Sequence, residues 1–197
     1  MKVEELDYSK KYTYTDYLSW QFDEMVEIIR GKIYRMTPAP NLNHQEVSSN
    51  LLRQIFLLLD NKKCKVFHAP FDVRLPLGGL ENEEIDTVVQ PDICVVCDPE
   101  KLHASGCLGA PDWIIEILSP STSKKDLNEK FDLYESAGVK VYWVIHPHEQ
   151  TLLVFTLDEG GKYKGRLKPY TRDDQVELRI FDDFVVNLEE VFPLETL

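Results

Sequence analysis

Apolar residues repeat along this 197-residue chain with the periods of both helices and strands. From His44 to Leu59, apolar side chains recur every three or four residues, which predicts a long amphipathic helix. Two shorter segments, Pro91–Cys97 and Trp113–Leu118, are almost continuously apolar. Such segments are typical of strands that are covered on both faces. The pattern therefore predicts helices packed against a buried sheet.

The region that follows Trp113 predicts a parallel strand–helix–strand unit. After the strand Trp113–Leu118, Ser123 and Asp126 resemble a capping box that begins a helix. The helix ends at Gly138, and the apolar segment Lys140–Ile145 follows as a second strand. Because a strand, a helix and a strand of these lengths are typical of a crossover connection, we expect the two strands to be parallel.

The remaining pattern completes the sheet. It predicts a short helix at Tyr14–Trp20, a hairpin of Met25–Ile29 and Lys32–Met36, and further strands at Lys65–Leu75, Leu152–Leu157, Tyr163–Tyr170 and Gln175–Leu178. The predicted fold class is α/β or α+β, with a central mixed β-sheet flanked by helices.

Length and composition predict that residues 1–197 form one globular domain. The hydrophobic fraction of 43% is ordinary, and the chain is too short for two comfortable domains. The N-terminus has no positive region followed by an apolar stretch, so we expect no secretory signal. The apolar runs are too short to span a bilayer, and we expect a cytoplasmic protein without membrane contact.

The net charge of −12 argues against one class of partner. Proteins that bind DNA without sequence preference usually present a basic surface, because counterion release drives their affinity. An acidic chain must concentrate positive charge locally, bridge to phosphate through metal ions, or bind nucleic acid weakly.

The cysteines include a Cys94–Val–Val–Cys97 spacing of the kind found in zinc and redox sites. Residues three apart on a strand point to opposite faces, so these two thiols would diverge. A zinc site that used Cys107 and His103 would lack a suitable second pair of ligands. We expect the cysteines to be small buried side chains in a reducing compartment, with a zinc or thiol-redox protein as the weaker alternative.

Two acidic residues stand out in the apolar strands. Glu116 interrupts Trp113–Leu118, and a buried, unpaired carboxylate costs several kcal/mol, so it needs a metal, a cation or a proton. A structural ion pair or a strand-end position is the alternative. Asp92 begins the neighbouring strand, where it could also cap a loop. Two carboxylates from adjacent strands can share a hard cation such as Mg²⁺.

Lys130 is the third candidate residue. On a helical wheel it falls within the apolar arc of the predicted helix, which also holds Leu127, Phe131, Leu133, Tyr134 and Ala137. A lysine there either extends past the core to solvent or contacts buried anions. Because Glu116 lies on the strand just before this helix, the second arrangement is geometrically natural.

A family resemblance rests on these residues together. The matching motifs are Gln90–Pro–Asp92, Glu116–Ile–Leu–Ser–Pro–Ser–Thr122, the set Asp126, Lys130 and Tyr134, then Ala137–Gly–Val139 and Tyr142–Trp–Val–Ile145, and upstream Glu27–Ile–Ile–Arg–Gly31, Pro38 and His44. The chain resembles the restriction endonuclease-like family of largely uncharacterised bacterial proteins in the PD-(D/E)XK nuclease superfamily. The resemblance covers most of the chain and implies a restriction-endonuclease-like core.

The sequence departs from the superfamily motif at Leu118, where a lysine is expected. The resemblance implies that Lys130, on the following helix, replaces it. The leading hypothesis is hydrolysis of DNA phosphodiesters with Mg²⁺ or Mn²⁺, held by Asp92, Glu116 and the backbone carbonyl of Ile117. The alternative is a catalytically inert binding module with the same fold, for protein or nucleic acid.

Other residues are weaker candidates. His44, on the apolar side of its helix, is either a satisfied structural histidine or a neighbour of the site, and Glu27 matches the family pattern without a derived role. Lys162, Lys164, Arg166 and Lys168 share strand parity and predict a basic stripe, either a solvated edge or a phosphate-contacting surface. An exposed sheet edge would permit a homodimer, whose two-fold symmetry would suit cleavage of a duplex.

Overall fold

The structure, a computed structural model, describes residues 3–21, 24–36, 41–60, 62–79, 84–119, 125–178, 180–181 and 184–192. Ser123 of the predicted capping pair and the side chain of Asp126 lie outside this description, as does Pro38. The described helices are α1 (Tyr14–Ser19), α2 (Leu42–Leu58), α3 (Lys125–Ala137) and α4 (Leu188–Val191). Short 3₁₀ turns occur at Val3–Glu5, Leu77–Gly79 and Pro99–Lys101.

The strands of the described residues form two large sheets and a two-stranded one. They are β1 (Val26–Ile29), β2 (Lys32–Arg35), β3 (Lys65–His68), β4 (Val73–Arg74), β5 (Val88–Val89), β6 (Ile93–Val96), β7 (Leu102–His103), β8 (Gly106–Leu108), β9 (Trp113–Ile117), β10 (Val141–His146), β11 (Thr151–Leu157), β12 (Tyr163–Gly165), β13 (Tyr170–Thr171), β14 (Gln175–Glu177) and β15 (Val185–Asn187). One sheet has the order β12-β11-β10-β9-β6-β3, with β13 also on β11, and the other has the order β2-β1-β5-β4-β8-β7.

The predicted strand–helix–strand unit is confirmed. Strands β9 and β10 are parallel, with Glu116 opposite Val144, and α3 connects them. Strand β6 lies antiparallel on the other side of β9, with Ile93 opposite Ile115. The sheet is therefore mixed, and the α+β prediction is confirmed. The predicted β1–β2 hairpin is also present, with Glu27 opposite Tyr34.

One face of the central sheet packs against α2. Val47, Leu51 and Ile55 lie on the inward side of this helix, at the helical spacing of the sequence pattern, and are fully buried. They join Trp113 and Trp143, whose rings meet edge to face at 4.6 Å. This apolar layer anchors the N-terminus of α2 beside the beginning of β6.

The opposite face of the central sheet packs against α3 and the second sheet. Ile114 and Tyr142 of the central sheet join Leu133 and Tyr134 of α3 in a second buried cluster. Val89 of β5 belongs to the same cluster. Because residues of one parity share a face, Glu116 lies on the same face as Ile114 and points into this layer.

Three predicted strands differ in the structure. Lys65–Leu75 breaks at Pro70, which lacks the N–H that a ladder requires, and β3 and β4 join different sheets. The Tyr163–Tyr170 strand ends at Gly165. Gln175–Glu177 does not join the central sheet; it pairs with β15, a strand that the sequence analysis missed.

The predicted basic stripe is also wrong as a continuous strand face, since β12 ends before Arg166. Lys162 contacts Glu135 at 2.6 Å, and Lys164 lies 3.6 Å from Asp158. The guanidinium of Arg166 lies over the Tyr170 ring. Three of the four cations of the predicted stripe therefore already contact other groups of the chain.

The expectation of four reduced cysteines is corrected for one pair. Cys64 and Cys97 form a disulfide. The physical reason is register: Lys65 pairs with Val96 across β3 and β6, so the residues just outside the ladder face one another. Cys94 and Cys107 are buried thiols, and burial raises the pKa of Cys107 to about 11.

We expect thiol titration of the denatured chain to distinguish the two states. Without reductant, Cys94 and Cys107 should react and the bonded pair should not, giving two thiols per chain. After reduction all four cysteines should react. Four reactive thiols before reduction, in freshly purified protein, would contradict the disulfide.

Candidate active site

Glu116 lies near the end of β9, and the residue is 7% exposed. Apolar residues flank it on both sides, as the sequence pattern predicts, because β9 is buried along its whole length. A carboxylate at this depth requires compensating donors or cations. Two donors are present at Glu116 Oε1: the ammonium of Lys130 and the hydroxyl of Tyr134.

Lys130 lies on the inward side of α3 and is 9% exposed. Its Nζ donates to Glu116 Oε1 at 3.0 Å and to Glu27 Oε1 at 3.1 Å. The helical wheel predicted this inward placement, and the ammonium does not reach past the core to open solvent. Lys130 therefore lies beside Glu116, although it comes from the helix that follows β9.

Tyr134 lies one helical turn after Lys130 on the same side of α3. Its hydroxyl donates to Glu116 Oε1 at 2.7 Å, and the residue is fully buried. A charge-assisted hydrogen bond of this length holds the carboxylate of Glu116 in one orientation and favours its ionised form. The sequence showed Tyr134 as a member of a family motif, but gave no signal of this contact.

Glu27 brings the second sheet into the site. It lies on β1, is 5% exposed, and accepts a hydrogen bond from the backbone N–H of Gln90 at Oε1, at 2.9 Å. The side-chain amide of Gln90 in turn donates to Asp72 and Tyr17, at 2.7 and 3.2 Å. Glu27 is thus held in place by the segment that leads directly to Asp92.

Asp92 precedes β6 and lies beside the end of β9. Its Oδ2 accepts the backbone N–H of Ile117 at 2.7 Å, and its Oδ1 lies 3.2 Å from His44 Nε2. Asp92 therefore contacts both the end of β9 and the N-terminal turn of α2.

Burial and charge set the electrostatics of this group. Burial raises the pKa of Glu116 to about 7, although Lys130 opposes the rise. Burial disfavours the charged form of Lys130, but Glu116 and Glu27 outweigh it and hold the pKa of Lys130 well above its usual range. Burial alone would lower the pKa of His44, but Asp92, with smaller contributions from Glu116 and the backbone of Ile117, raises the pKa above its ordinary value. The positive charge of Lys130 offsets only part of the negative charge of the carboxylates around it.

The donor set fits a hard divalent cation in its chemistry. Oxygen ligands are available from Asp92, Glu116 and the Ile117 carbonyl, which is the class of ligand that Mg²⁺ prefers. Lys130 and Tyr134 both donate to Glu116 Oε1. Among the described residues, none donates a hydrogen bond to Glu116 Oε2. Within the same residues, no three His, Cys, Asp or Glu side chains lie close enough together to hold a metal by themselves. The carbonyl and water would have to complete the coordination.

The structure brings together more residues than sequence reasoning identified. Lys130 contacts Glu116 and Glu27 directly, and Asp92 contacts His44 and the backbone of Ile117, the residue that follows Glu116. The roles of Gln90 and Tyr134 were missed. A signal for Glu27 was present, since it is a carboxylate in the apolar run Val26–Ile29, which is buried throughout. The same argument that singled out Glu116 applies to it.

The fold and this cluster define a mixed α+β domain with a buried polar site at the edge of its central sheet. A crystal structure described as a putative nuclease belonging to DUF820, from Anabaena variabilis, superposes with a TM-score of 0.70 at 22% identity, covering 92% of this chain and 97% of that one. At this identity the likeness concerns the fold alone.

Sequence comparison identifies the family. The sequence profile of the Uma2 family, described as "Putative restriction endonuclease", matches residues 14–189, and the chain belongs to this family. The relatives include two Synechocystis proteins. The protein slr1290 is 29% identical over 167 residues, 83% of each chain. The protein sll1609 is 28% identical over 118 residues, 59% of this chain and 62% of the relative.

Membrane insertion by a helix has no support in the described part of the chain. None of its helices combines the length and the hydrophobicity that a bilayer crossing requires.

We expect Lys130→Met to destabilise the fold by about 3 kcal/mol, because it leaves two buried carboxylates without their shared cation. The deficit should widen as pH rises, since burial raises the pKa of Glu116, and deprotonation of Glu116 without Lys130 then costs more in the folded variant than in the unfolded chain. Urea unfolding at several pH values measures both effects.

Lys164→Met is the matched control. Its ammonium lies 3.6 Å from Asp158, and the two side chains are 73% and 35% exposed, so its loss should destabilise the fold far less than loss of Lys130. Equal destabilisation by the two substitutions would contradict the buried-charge description of Lys130.

Proposed function

We propose that this protein is a metal-dependent endonuclease that hydrolyses DNA phosphodiester bonds. The observation that carries the proposal is that Glu116 and Lys130 are in direct contact in the core, while Asp92 accepts a hydrogen bond from the backbone of Ile117, the residue next to Glu116. Membership of the Uma2 family and the nuclease architecture support the same reaction class. The cofactor would be Mg²⁺ or Mn²⁺.

Asp92, Glu116 and the Ile117 carbonyl would hold the cation. A divalent cation bound there supplies Lewis-acid chemistry, polarising a phosphate and making a bound water a better nucleophile at neutral pH. The hydrogen bond from Ile117 N–H to Asp92 keeps the strand ends together, so both oxygen ligands come from a fixed backbone. Tyr134 restrains Glu116, which lowers the reorganisation needed at the site.

Lys130 would act on the phosphate and on the attacking water. Its ammonium is already fixed by two carboxylates, and in a site of low dielectric it stabilises negative charge that develops on phosphoryl oxygens. The elevated pKa of Lys130 keeps it positively charged and acting as an electrostatic group, so it does not serve as the base. His44, next to Asp92, restrains that carboxylate from the side of α2.

DNA is the proposed substrate, and the acidic surface shapes how it would bind. A net charge of −12 disfavours tight association through counterion release alone. Weak intrinsic binding that is strengthened by a bridging divalent cation fits both the acidic composition and the candidate site. A homodimer and a cytoplasmic location stay predictions.

We expect the wild-type protein to nick supercoiled plasmid with Mn²⁺ or Mg²⁺ and not with chelator. Glu116→Ala and Asp92→Ala should each reduce the rate by about 100-fold or more, because each removes an oxygen ligand of the proposed cation. Gel quantification of nicked and linear products over time measures the rates.

Glu149→Ala is the control, since Glu149 lies in an exposed turn after β10, and its rate should match wild type. Equal nicking by wild type and Glu116→Ala would identify a contaminating nuclease. The absence of nicking under every metal condition would favour the inert binding module instead.

A further inference from the structure

Lys130 is shared almost equally between two carboxylates. Its Nζ lies 3.0 Å from Glu116 Oε1 and 3.1 Å from Glu27 Oε1. The two acids come from different sheets, and the side chain of each is about nine-tenths buried. A single ammonium that contacts two anions neutralises neither of them fully.

The second carboxylate changes the formal charge of the group. With Glu116 ionised and His44 neutral, Asp92, Glu116 and Glu27 contribute three negative charges and Lys130 one positive charge, so the group carries two negative charges. That total matches a divalent cation. Without Glu27 the group would carry one negative charge, and Lys130 would have Glu116 as its one direct carboxylate partner.

The geometry of Glu27 is suited to sharing the lysine. The N–H of Gln90 donates to the same oxygen, Oε1, that contacts Lys130, so this oxygen is fixed from the backbone side. Asp92 follows Gln90 by two residues, and its position is therefore linked to that of Glu27 through a short segment of chain. At Glu116, Lys130 and Tyr134 both contact Oε1. Oε2 accepts no hydrogen bond from a residue that the structure describes.

We propose that Glu27 is a positioning residue that draws Lys130 partly away from Glu116 and so preserves the affinity of Asp92 and Glu116 for a divalent cation. This inference rests on the proposed function. It differs from a purely structural role, in which Glu27 would only join the second sheet to α3. The two roles predict different behaviour when the charge of Lys130 is also removed.

The experiment measures Mn²⁺ affinity without nucleic acid, by electron paramagnetic resonance of free Mn²⁺ at mildly alkaline pH, where Glu116 is ionised. Glu27→Gln should bind Mn²⁺ about tenfold more weakly, because one negative charge is lost and Lys130 bears fully on Glu116. Lys130→Met should bind about tenfold more tightly. The double variant should return to within about threefold of wild type, since its net charge is again that of wild type.

Glu24→Gln is the matched control. Glu24 lies three residues before Glu27, is 51% exposed and contacts Arg35 on the surface, so its Mn²⁺ affinity should equal that of wild type. Circular dichroism checks that each variant is folded. If Glu27→Gln does not fold, the Lys130→Met variant still tests the inference, because unchanged or weaker Mn²⁺ binding there would overturn it.

The outcomes separate this inference from the proposed function. Wild-type affinity in Glu27→Gln would overturn the inference and leave the metal site intact. A double variant as weak as Glu27→Gln, or weaker, would assign Glu27 a structural role. A wild-type protein that binds no Mn²⁺ would overturn the proposed metal-dependent function, and the inference with it.

Discussion

The ion pair between Lys130 and Glu116 constrains the rest of the site. Two ionised groups lie in a layer of apolar side chains, where each would cost several kcal/mol without the other. The pair forms only if α3 returns across the face of β9 with its apolar side inward, as the parallel connection to β10 requires. Glu27 and Tyr134 then supply the remaining contacts that the buried charges need.

The site lies where the two large sheets and two helices meet. The central sheet contributes Asp92 and Glu116, the second sheet contributes Glu27, and α3 contributes Lys130. The N-terminus of α2 adds His44. Because these elements are fixed by extensive apolar cores on both faces of the central sheet, the polar residues are held by packing as well as by one another. Preorganisation of this kind is what electrostatic catalysis requires.

Much of this arrangement could be predicted from the sequence, because it depends on local patterns. The apolar run around Glu116 and the helical position of Lys130 placed both residues correctly, since burial and periodicity are visible in one chain. The contact of Glu27 with Lys130 spans 103 residues and joins two sheets, and no local pattern encodes it. The Cys64–Cys97 disulfide depends on strand register. Pro70, which is visible in the sequence, separates Lys65–Leu75 into two strands of different sheets, and the predicted single strand did not take it into account.

The central claim is that Asp92 and Glu116 share one divalent cation while Lys130 stays with the carboxylates. A crystal of the protein soaked in Mn²⁺, with anomalous data collected at the manganese edge, tests it directly. The account predicts one strong anomalous peak about 2.2 Å from oxygens of Asp92, Glu116 and the Ile117 carbonyl, with the Lys130 ammonium still beside Glu27. A fully soaked crystal with no peak there, or a peak that displaces Lys130 into solvent, would contradict it.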